Sequence, residues 1–319
     1  MKSIDVCIVT YRRPKLLQAL LQTLITQSIA GEVALRVIIV DNDIKKSAQS
    51  TVEAIKATFP FPIVYEVEPK KGITFARNRA LTFVNAKYFA FLDDDETVNQ
   101  NWLSSLLKTM HDYDADVVFG SVKSILPDNA PNWARNHPCF QRPIKGTGKR
   151  VLSGGCGNVL VRTEAIGNGR MRFNDAYALT GGEDTDYFYR LYLEGRTMVW
   201  CEEALAYEHV PDERLTTQWV YRRAYRGGEC YARVFASSES LLKKVIRITK
   251  NSTRLVLGCM VLPLVYMVSN QHYVRLRTWI YSASGQLNVL LGGSCFYQEY
   301  GHPTYKVERS TVKRFEESD

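Results

Sequence analysis

No low-complexity tract and no internal repeat runs through the 319 residues, so neither a solenoid nor disorder is indicated. No two cysteines form a Cys-x-x-Cys pair. The seven (Cys7, Cys139, Cys156, Cys201, Cys230, Cys259 and Cys295) are scattered and odd in number. Neither a disulfide framework nor a zinc site is signalled, and a reducing compartment fits. A secretory signal is not expected from the N-terminal residues, because the apolar run Val6-Cys7-Ile8-Val9 is short and leads straight into Arg12-Arg13-Pro14. The folded body is therefore expected to begin in the cytosol. An early glycine-rich loop with a lysine, of the kind that cradles a triphosphate, is lacking, and so is any recognised nucleic-acid-binding pattern.

What is present is an ordinary globular composition, 45% hydrophobic and 23% charged, with a net charge of +8. The positive balance favours anionic partners: nucleic acid, sugar nucleotides, pyrophosphate-linked substrates or acidic lipid headgroups. Short β-branched runs at Ile4 to Val9, Leu35 to Val40, Ile63 to Val67, Tyr88 to Leu92 and Asp116 to Phe119 alternate with amphipathic stretches. These stretches are Leu16 to Ile25, Ala48 to Thr58, Phe75 to Val84 and Trp102 to Met110. The alternation predicts an α/β fold with a mostly parallel central sheet flanked by helices. A Pro/Asn/Gly-rich loop from Ser121 to Arg150 follows. Next comes a mixed segment with strands near Gly157 to Arg162, Thr197 to Cys201 and Leu205 to Glu208 and a helix from about Asp184, and then a basic helical region. The expected organisation is a nucleotide-binding half over 1–120, a second half of the same domain over 121–235 and a helical extension over 236–319. Within the extension, Leu255 to Val268 is nearly all apolar but short of the about 20 residues a spanning helix needs, and it is interrupted by Gly258 and Pro263. Basic residues precede it, so weak peripheral attachment to an anionic membrane surface is expected, with a core helix in a soluble cytoplasmic protein as the alternative.

Ligands of such sheets collect beyond the carboxyl ends of the strands. The first strand is followed there by Thr10-Tyr11-Arg12-Arg13-Pro14, the second by Asp41-Asn42-Asp43, and the third by Lys70-Lys71-Gly72 with Arg77-Asn78 beyond. Hydroxyl, cation and carboxylate at neighbouring strand ends can hold base, ribose and phosphate, although each piece alone also reads as a helix cap. The sharpest signal is Asp93-Asp94-Asp95-Glu96, whose four carboxylates in one turn repel one another unless solvated or neutralised by a divalent cation. Capping of the next helix by Asp95 or Glu96 is the simpler alternative. Farther on, Gly181-Gly182-Glu183-Asp184-Thr185-Asp186 opens a helix, and a carboxylate there can act as general base toward a sugar hydroxyl. His209, at a strand end, is a candidate third metal ligand. Trp219 to Gly228 interleaves cations with aromatics and is expected to close over a diphosphate or a lipid pyrophosphate, with a solvated amphipathic helix as the alternative.

The ordered set of Ile8 to Pro14, Val40 to Asp43, Gly72 to Asn78, Phe91 to Glu96, Gly154 to Asn158, Gly181 to Asp186 and His209 resembles glycosyltransferase family 2, nearest to its bacterial exopolysaccharide enzymes of the succinoglycan type. The resemblance covers roughly residues 3–235 and rests on order and spacing. It implies a GT-A fold and an inverting transfer of a hexose from a nucleotide-diphosphate sugar, UDP-linked, to a saccharide acceptor, polyprenyl-diphosphate-linked, on the cytoplasmic face of the bacterial inner membrane. It further implies nucleotide binding by Thr10, Tyr11, Arg12, Asp41, Arg77, Asp93 and Asp94, and Mn²⁺ or Mg²⁺ held by Asp95 and Asp93 with His209. Asp184 would be the base, with Glu183 orienting the acceptor. Gly155, Asn158 and Trp219 would line the acceptor side, and Arg222 and Arg226 would contact the diphosphate or lipid pyrophosphate. Asp43 departs from the family pattern. Two competing functions are a sugar-phosphate nucleotidyltransferase and a non-catalytic, membrane-associated polysaccharide scaffold. The missing triphosphate loop argues against the first, and the presence of both acidic clusters argues against the second.

Overall fold

The computed structural model describes residues 2–28, 33–167, 169–236 and 239–295. The chain forms two compact units, Met1–Leu215 and Thr216–Asp319. In the first, strands and helices follow as β1 (Lys2–Thr10), α1 (Pro14–Ile25), β2 (Val33–Asp41), α2 (Gln49–Lys56), β3 (Ile63–Val67), α3 (Ile73–Phe83), β4 (Tyr88–Asp93) and β5 (Glu96–Val98). Then come α4 (Trp102–Asp112), β6 (Val117–Ile125), α5 (Asn132–Arg135), β7 (Asn158–Arg162), α6 (Glu183–Leu193) and β8 (Met198–His209).

Among the described residues eight strands join one sheet in the order β3-β2-β1-β4-β7-β6-β8-β5. The half built from β1 to β4 is parallel, while β7 runs against both β4 and β6, and β5 runs against β8. Helices cover both faces, which is why the inner strands read as unbroken apolar runs. Side chains alternate along β1: Ile4, Val6 and Ile8 pack on one face with Leu17, Leu20 and Leu24 of α1 and Trp102 and Leu106 of α4. Cys7 turns to the other face, with Ala76 and Ala80 of α3 and Tyr187, Phe188 and Leu191 of α6.

Three local expectations change. The two strands expected over 197–201 and 205–208 are one strand, β8, whose pairing with β6 slips between Gly120 and Ser121 and leaves Glu202 to Ala204 as a bulge. Asn158 closes the defect: its amide nitrogen donates to the carbonyls of Ser121 (3.0 Å) and Ala204 (2.8 Å), and its amide oxygen accepts from the Trp102 indole (2.8 Å). A Cβ on Gly120 would lie 2.3 Å from that amide, so glycine is required there. Second, the acidic turn does not cap a helix. Asp94 and Asp95 form a turn into β5, and α4 begins later, behind Asn101, with no side-chain cap. Third, the loop expected from Ser121 to Arg150 opens with the end of β6, which runs to Ile125, and holds the short helix α5.

The second unit holds α7 (Thr217–Phe235), α8 (Leu241–Val268) and α9 (Asn270–Leu290). Helices α7 and α9 touch backbone to backbone at two glycines: a Cβ on Gly228 would lie 2.1 Å from the Ser282 carbonyl oxygen, and one on Gly285 2.0 Å from that of Tyr225. The short apolar segment expected over 255–268 is the second half of a 28-residue helix that runs through the basic stretch and past Pro263. Among the described residues α8 is the helix long and apolar enough to cross a membrane, by length and composition only, and 11% of its most apolar window is buried.

Replacing Asn158 with Ala strands two carbonyls and an indole N–H inside the sheet, each a buried polar group without a partner. The expected cost is about 3 kcal/mol, read as a lower urea midpoint at unchanged slope.

Candidate active site

Strands β1, β2 and β4 end level with one another: Thr10 pairs with Asp41, and Val9 with Asp93. The loops that leave these ends are organised from within. Asp41 is fully buried, and its carboxylate accepts from the backbone N–H groups of Asp43 (3.0 Å) and Ala48 (2.8 Å) and from the Tyr65 hydroxyl (3.0 Å). Asn42 donates to the carbonyls of Glu68 and Lys70, both at 2.8 Å, and accepts from the N–H of Gly72 at 3.0 Å. Gly72 has φ 140, and a Cβ there would lie 2.9 Å from Cβ of Ala178, so glycine is needed for both conformation and space. Asp43 pairs with Arg12 at 3.0 Å, and the Arg12 guanidinium stacks on Tyr11, 4.9 Å from its ring centre. Asp41 and Asn42 thus act as braces that set the shape of the cleft edge.

The acidic turn sits beside them. Asp94, 5% exposed, accepts from the Thr10 hydroxyl at 2.7 Å and from Arg13 at 3.0 Å, and Arg13 also reaches Asp95 at 3.0 Å. Thr10 therefore meets Asp94 with its hydroxyl, and Arg13 at the start of α1 spans the turn. Arg214 holds Asp95 (3.4 Å) and Glu208, and Arg142 holds Glu208 from the other side. Glu208 faces Glu96 across the β5–β8 pair. His209 follows it at the exposed end of β8, as Asp95 precedes Glu96 on the facing strand.

The second acidic group comes from α6. Gly181 (φ 75) and Gly182 (φ 91) make the left-handed turn that starts it, a conformation that excludes most other residues. Glu183, 2% exposed, pairs with Arg77, whose other nitrogen lies 3.3 Å from Asp93. One buried guanidinium from α3 thereby ties the start of α6 to the end of β4. Asp184 follows Glu183, half-buried, with Oδ1 accepting from the N–H of Thr185 at 2.6 Å. Its Oδ2 faces Gly155, where a Cβ would stand 3.4 Å away. A Cβ on Gly157 would lie 2.7 Å from Glu96 and 2.9 Å from Asp93, so bare backbone lines this floor.

Seven carboxylates (Asp93, Asp94, Asp95, Glu96, Glu183, Asp184 and Glu208) meet four guanidinium groups, from Arg13, Arg77, Arg142 and Arg214. The imbalance shows in their titration. Desolvation raises Asp93, although its side chain is half open to solvent; Asp95, Glu208 and Asp184 add to the rise, and Arg77 opposes it. Burial pushes Asp94 up to about 6 against the pull of Arg13. Glu96 is raised well above its ordinary value by burial and by Asp93 and Asp95, and its Oε2 is buried with no hydrogen-bond partner. The carboxylates of this turn outnumber the guanidinium groups that face them, and a divalent cation would supply the remaining counter-charge. Among the described residues no three His, Cys, Asp or Glu side chains are set to enclose a cation. Mg²⁺ and Mn²⁺ need no such cage when one or two carboxylates act together with substrate phosphates, and the crowded turn fits that mode.

The residues expected at the site thus separate. Arg77, Asp93, Glu183, Asp184 and Gly155 share one cleft, and Asp94, Asp95 and Thr10 join it through Arg13. Asn158, expected on the acceptor side, is 3% exposed with its amide committed to the sheet, which corrects that expectation. Trp219, Arg222 and Arg226 belong to α7 of the second unit, where Arg223 stacks over Trp219 at 5.3 Å. Arg142, Arg214 and Glu208 escaped the sequence reading. Arg142 and Glu208 are 66 positions apart, and no local pattern marks a pair so distant.

Residues 5–168 match the family model "Glycosyl transferase family 2", and residues 88–293 match "Glycosyl transferase family group 2". Over 242 residues, 76% of this chain and 78% of the relative, the sequence is 35% identical to the succinoglycan biosynthesis protein ExoM of Rhizobium meliloti (strain 1021). Among solved structures, a mannosyltransferase of Pyrobaculum calidifontis in complex with GDP-Man and Mn²⁺ matches with TM-score 0.65 at 15% identity, over 89% of this chain and 86% of that one. Residues 1–349 of S. aureus TarS in complex with UDP match with TM-score 0.52 at 16% identity, over 92% of both chains. The chain spans 55% of the longer TarS structure. At these identities the structural likeness speaks for the fold, which is GT-A.

Arg77→Met leaves Glu183 buried without the guanidinium it pairs with. A loss of about 3–5 kcal/mol is expected, measured by chemical denaturation, against little change for Arg79→Met, whose partner Glu66 is partly exposed.

Proposed function

The chain belongs to glycosyltransferase family 2, and from that premise we propose that it is an inverting hexosyltransferase. It moves a sugar from a UDP-sugar to a saccharide acceptor in bacterial exopolysaccharide synthesis. Family membership removes the nucleotidyltransferase and scaffold alternatives. The observation that carries the reading is the double pairing of Arg77, which sets the carboxylate turn at Asp93 and the base candidate next to Glu183 on one cleft.

Transfer with inversion is an in-line displacement at the anomeric carbon, so the proton acceptor and the departing diphosphate must lie on opposite sides of the sugar. Asp184 takes the proton of the acceptor hydroxyl as its oxygen bonds to the anomeric carbon. The bond to the diphosphate breaks, and the nucleoside diphosphate leaves with the electron pair. Thr185 fixes Asp184 through Oδ1 and leaves Oδ2 toward the backbone at Gly155, where an acceptor can approach closely. Asp95 and Asp93 would hold Mn²⁺ or Mg²⁺ together with the donor's phosphates, and His209 stands beside that turn as a further candidate. The cation, when bound, offsets the charge that builds on the diphosphate. Glu183 acts through Arg77, orienting the guanidinium that faces Asp93.

The donor assignment draws on S. aureus TarS, solved with UDP, and the acceptor class on ExoM, named for succinoglycan biosynthesis. A polyprenyl-diphosphate-linked acceptor would be met at the cytoplasmic face of the membrane, and α8 supports peripheral attachment there. Lys243 and Lys250 are exposed on its first half, and Met260, Leu264 and Met267 on its second (65–83% exposed).

Asp184→Asn is expected to lower transfer by about 10²–10⁴-fold while Mn²⁺-dependent UDP affinity, read by calorimetry, stays within error. Asp95→Ala should weaken that affinity, and near-normal turnover in the first variant or unchanged affinity in the second would contradict the assignments. In sedimentation with vesicles, the protein should bind phosphatidylglycerol-containing membranes. Lys243→Glu with Lys250→Glu should reduce binding by about tenfold or more, and equal recovery in the supernatant with and without lipid would defeat the membrane assignment.

A further inference from the structure

Arg214 stands between two carboxylates on different segments. Its Nη1 donates to Glu208, and its Nη2 reaches Asp95 at 3.4 Å, near the limit of a hydrogen bond. The same Oδ2 of Asp95 also receives Arg13 at 3.0 Å. The two arginines are anchored differently. Arg13 is pinned by Asp94, itself fixed by the Thr10 hydroxyl. Arg214 ends a short turn, Asp212–Arg214, whose neighbours Pro211, Asp212 and Glu213 are exposed. Its firm contact is Glu208, which Arg142 steadies from the other side. Of the two guanidinium groups on Asp95, Arg214 has the longer contact and stands on the more exposed turn.

A cation that took Asp95 would compete with Arg214 for one oxygen atom, and the incoming diphosphate would offer the guanidinium a better-matched partner. We infer that Arg214 is a built-in stand-in for the divalent cation: it neutralises Asp95 in the empty site and passes to the donor's diphosphate when the cation arrives, with Glu208 keeping it in reach. This rests on the proposal that Asp95 takes the cation. The device keeps a desolvated carboxylate compensated through the cycle and makes cation and nucleotide bind together, because neither alone repays the displaced ion pair. Arg142, which touches Glu208 and not Asp95 in the contacts above, has no part in the exchange.

The test compares wild type, Arg214→Gln, Arg214→Lys and Arg142→Gln by two readouts that need no turnover. These are Mn²⁺ affinity of the nucleotide-free protein, from the spin-resonance signal of free Mn²⁺, and UDP affinity in saturating Mn²⁺, from calorimetry. Melting temperatures certify folding. Arg214→Gln should bind Mn²⁺ alone several-fold more tightly, since one of the two guanidinium groups that compete for Asp95 is gone, and UDP about tenfold more weakly. Arg214→Lys, whose single ammonium cannot bridge both acceptors, should share the gain for Mn²⁺ and keep UDP affinity within about threefold. Arg142→Gln should leave Mn²⁺ affinity unchanged. Unchanged or weaker Mn²⁺ binding in both Arg214 variants overturns the inference, as does undiminished UDP affinity in Arg214→Gln. If wild type binds UDP with no dependence on Mn²⁺, the cation assignment of Asp95 falls with it, an outcome distinct from a variant failing in a competent wild type.

Discussion

Mutual repulsion of carboxylates at the carboxyl edge of one sheet is the constraint to which the rest of the first unit answers. Like charges this close cannot all ionise without compensation, and burial makes the cost larger. The fold meets it with arginines drawn from α3, from the start of α1, from the loop before β7 and from the turn after β8. Arg77 joins Asp93 to Glu183 and Arg214 joins Asp95 to Glu208, each tying together acids on different segments, so the electrostatic problem is also a means of assembly.

The supporting shell is as specific as the cleft. Asp41 and Asn42, at the end of β2, spend their hydrogen bonds on the next loops and the start of α2, and Asn158 spends its own on the bulge between β6 and β8. Such braces hold reacting groups to sub-ångström positions in a way that loops alone do not. Glycines at 72, 181 and 182 serve the same end, since each lies in a left-handed or otherwise forbidden backbone region at the mouth of an element that contributes to the site.

The second unit is held by other forces. Two glycines let α7 and α9 meet at backbone distance, and stacked Tyr221 and Tyr281, 5.0 Å apart, fill the seam. Helix α8 leaves a run of large apolar side chains uncovered, beginning with basic residues and ending with Met267 and Val268 more than 80% exposed. Exposed apolar area of that extent has a cost in water that a lipid surface would remove.

Much was legible in the residue string. Alternation of short apolar runs with amphipathic segments predicted the layers, since periodicity reports which faces are buried, and the strands over 63–67 and 88–92 were placed almost to the residue. The carboxylate turn and the glycine-flanked acids were visible because their chemistry is concentrated in a few neighbouring positions. What the string hid was long-range. The bulge made one strand look like two, because Glu202 and Glu203 read as a break when only the pairing slips. Asn158 looked like a ligand until its amide was found bonded inside the sheet, and Arg214 drew no notice although it reaches a residue 119 positions away. By itself the sequence determined the elements, the fold class and which acids gather locally, because those follow from periodicity and from charge within a single turn. Only the tertiary structure decided which cation faces which acid and which polar side chain braces rather than binds, because hydrogen-bond partners between distant segments exist only once the chain has closed on itself.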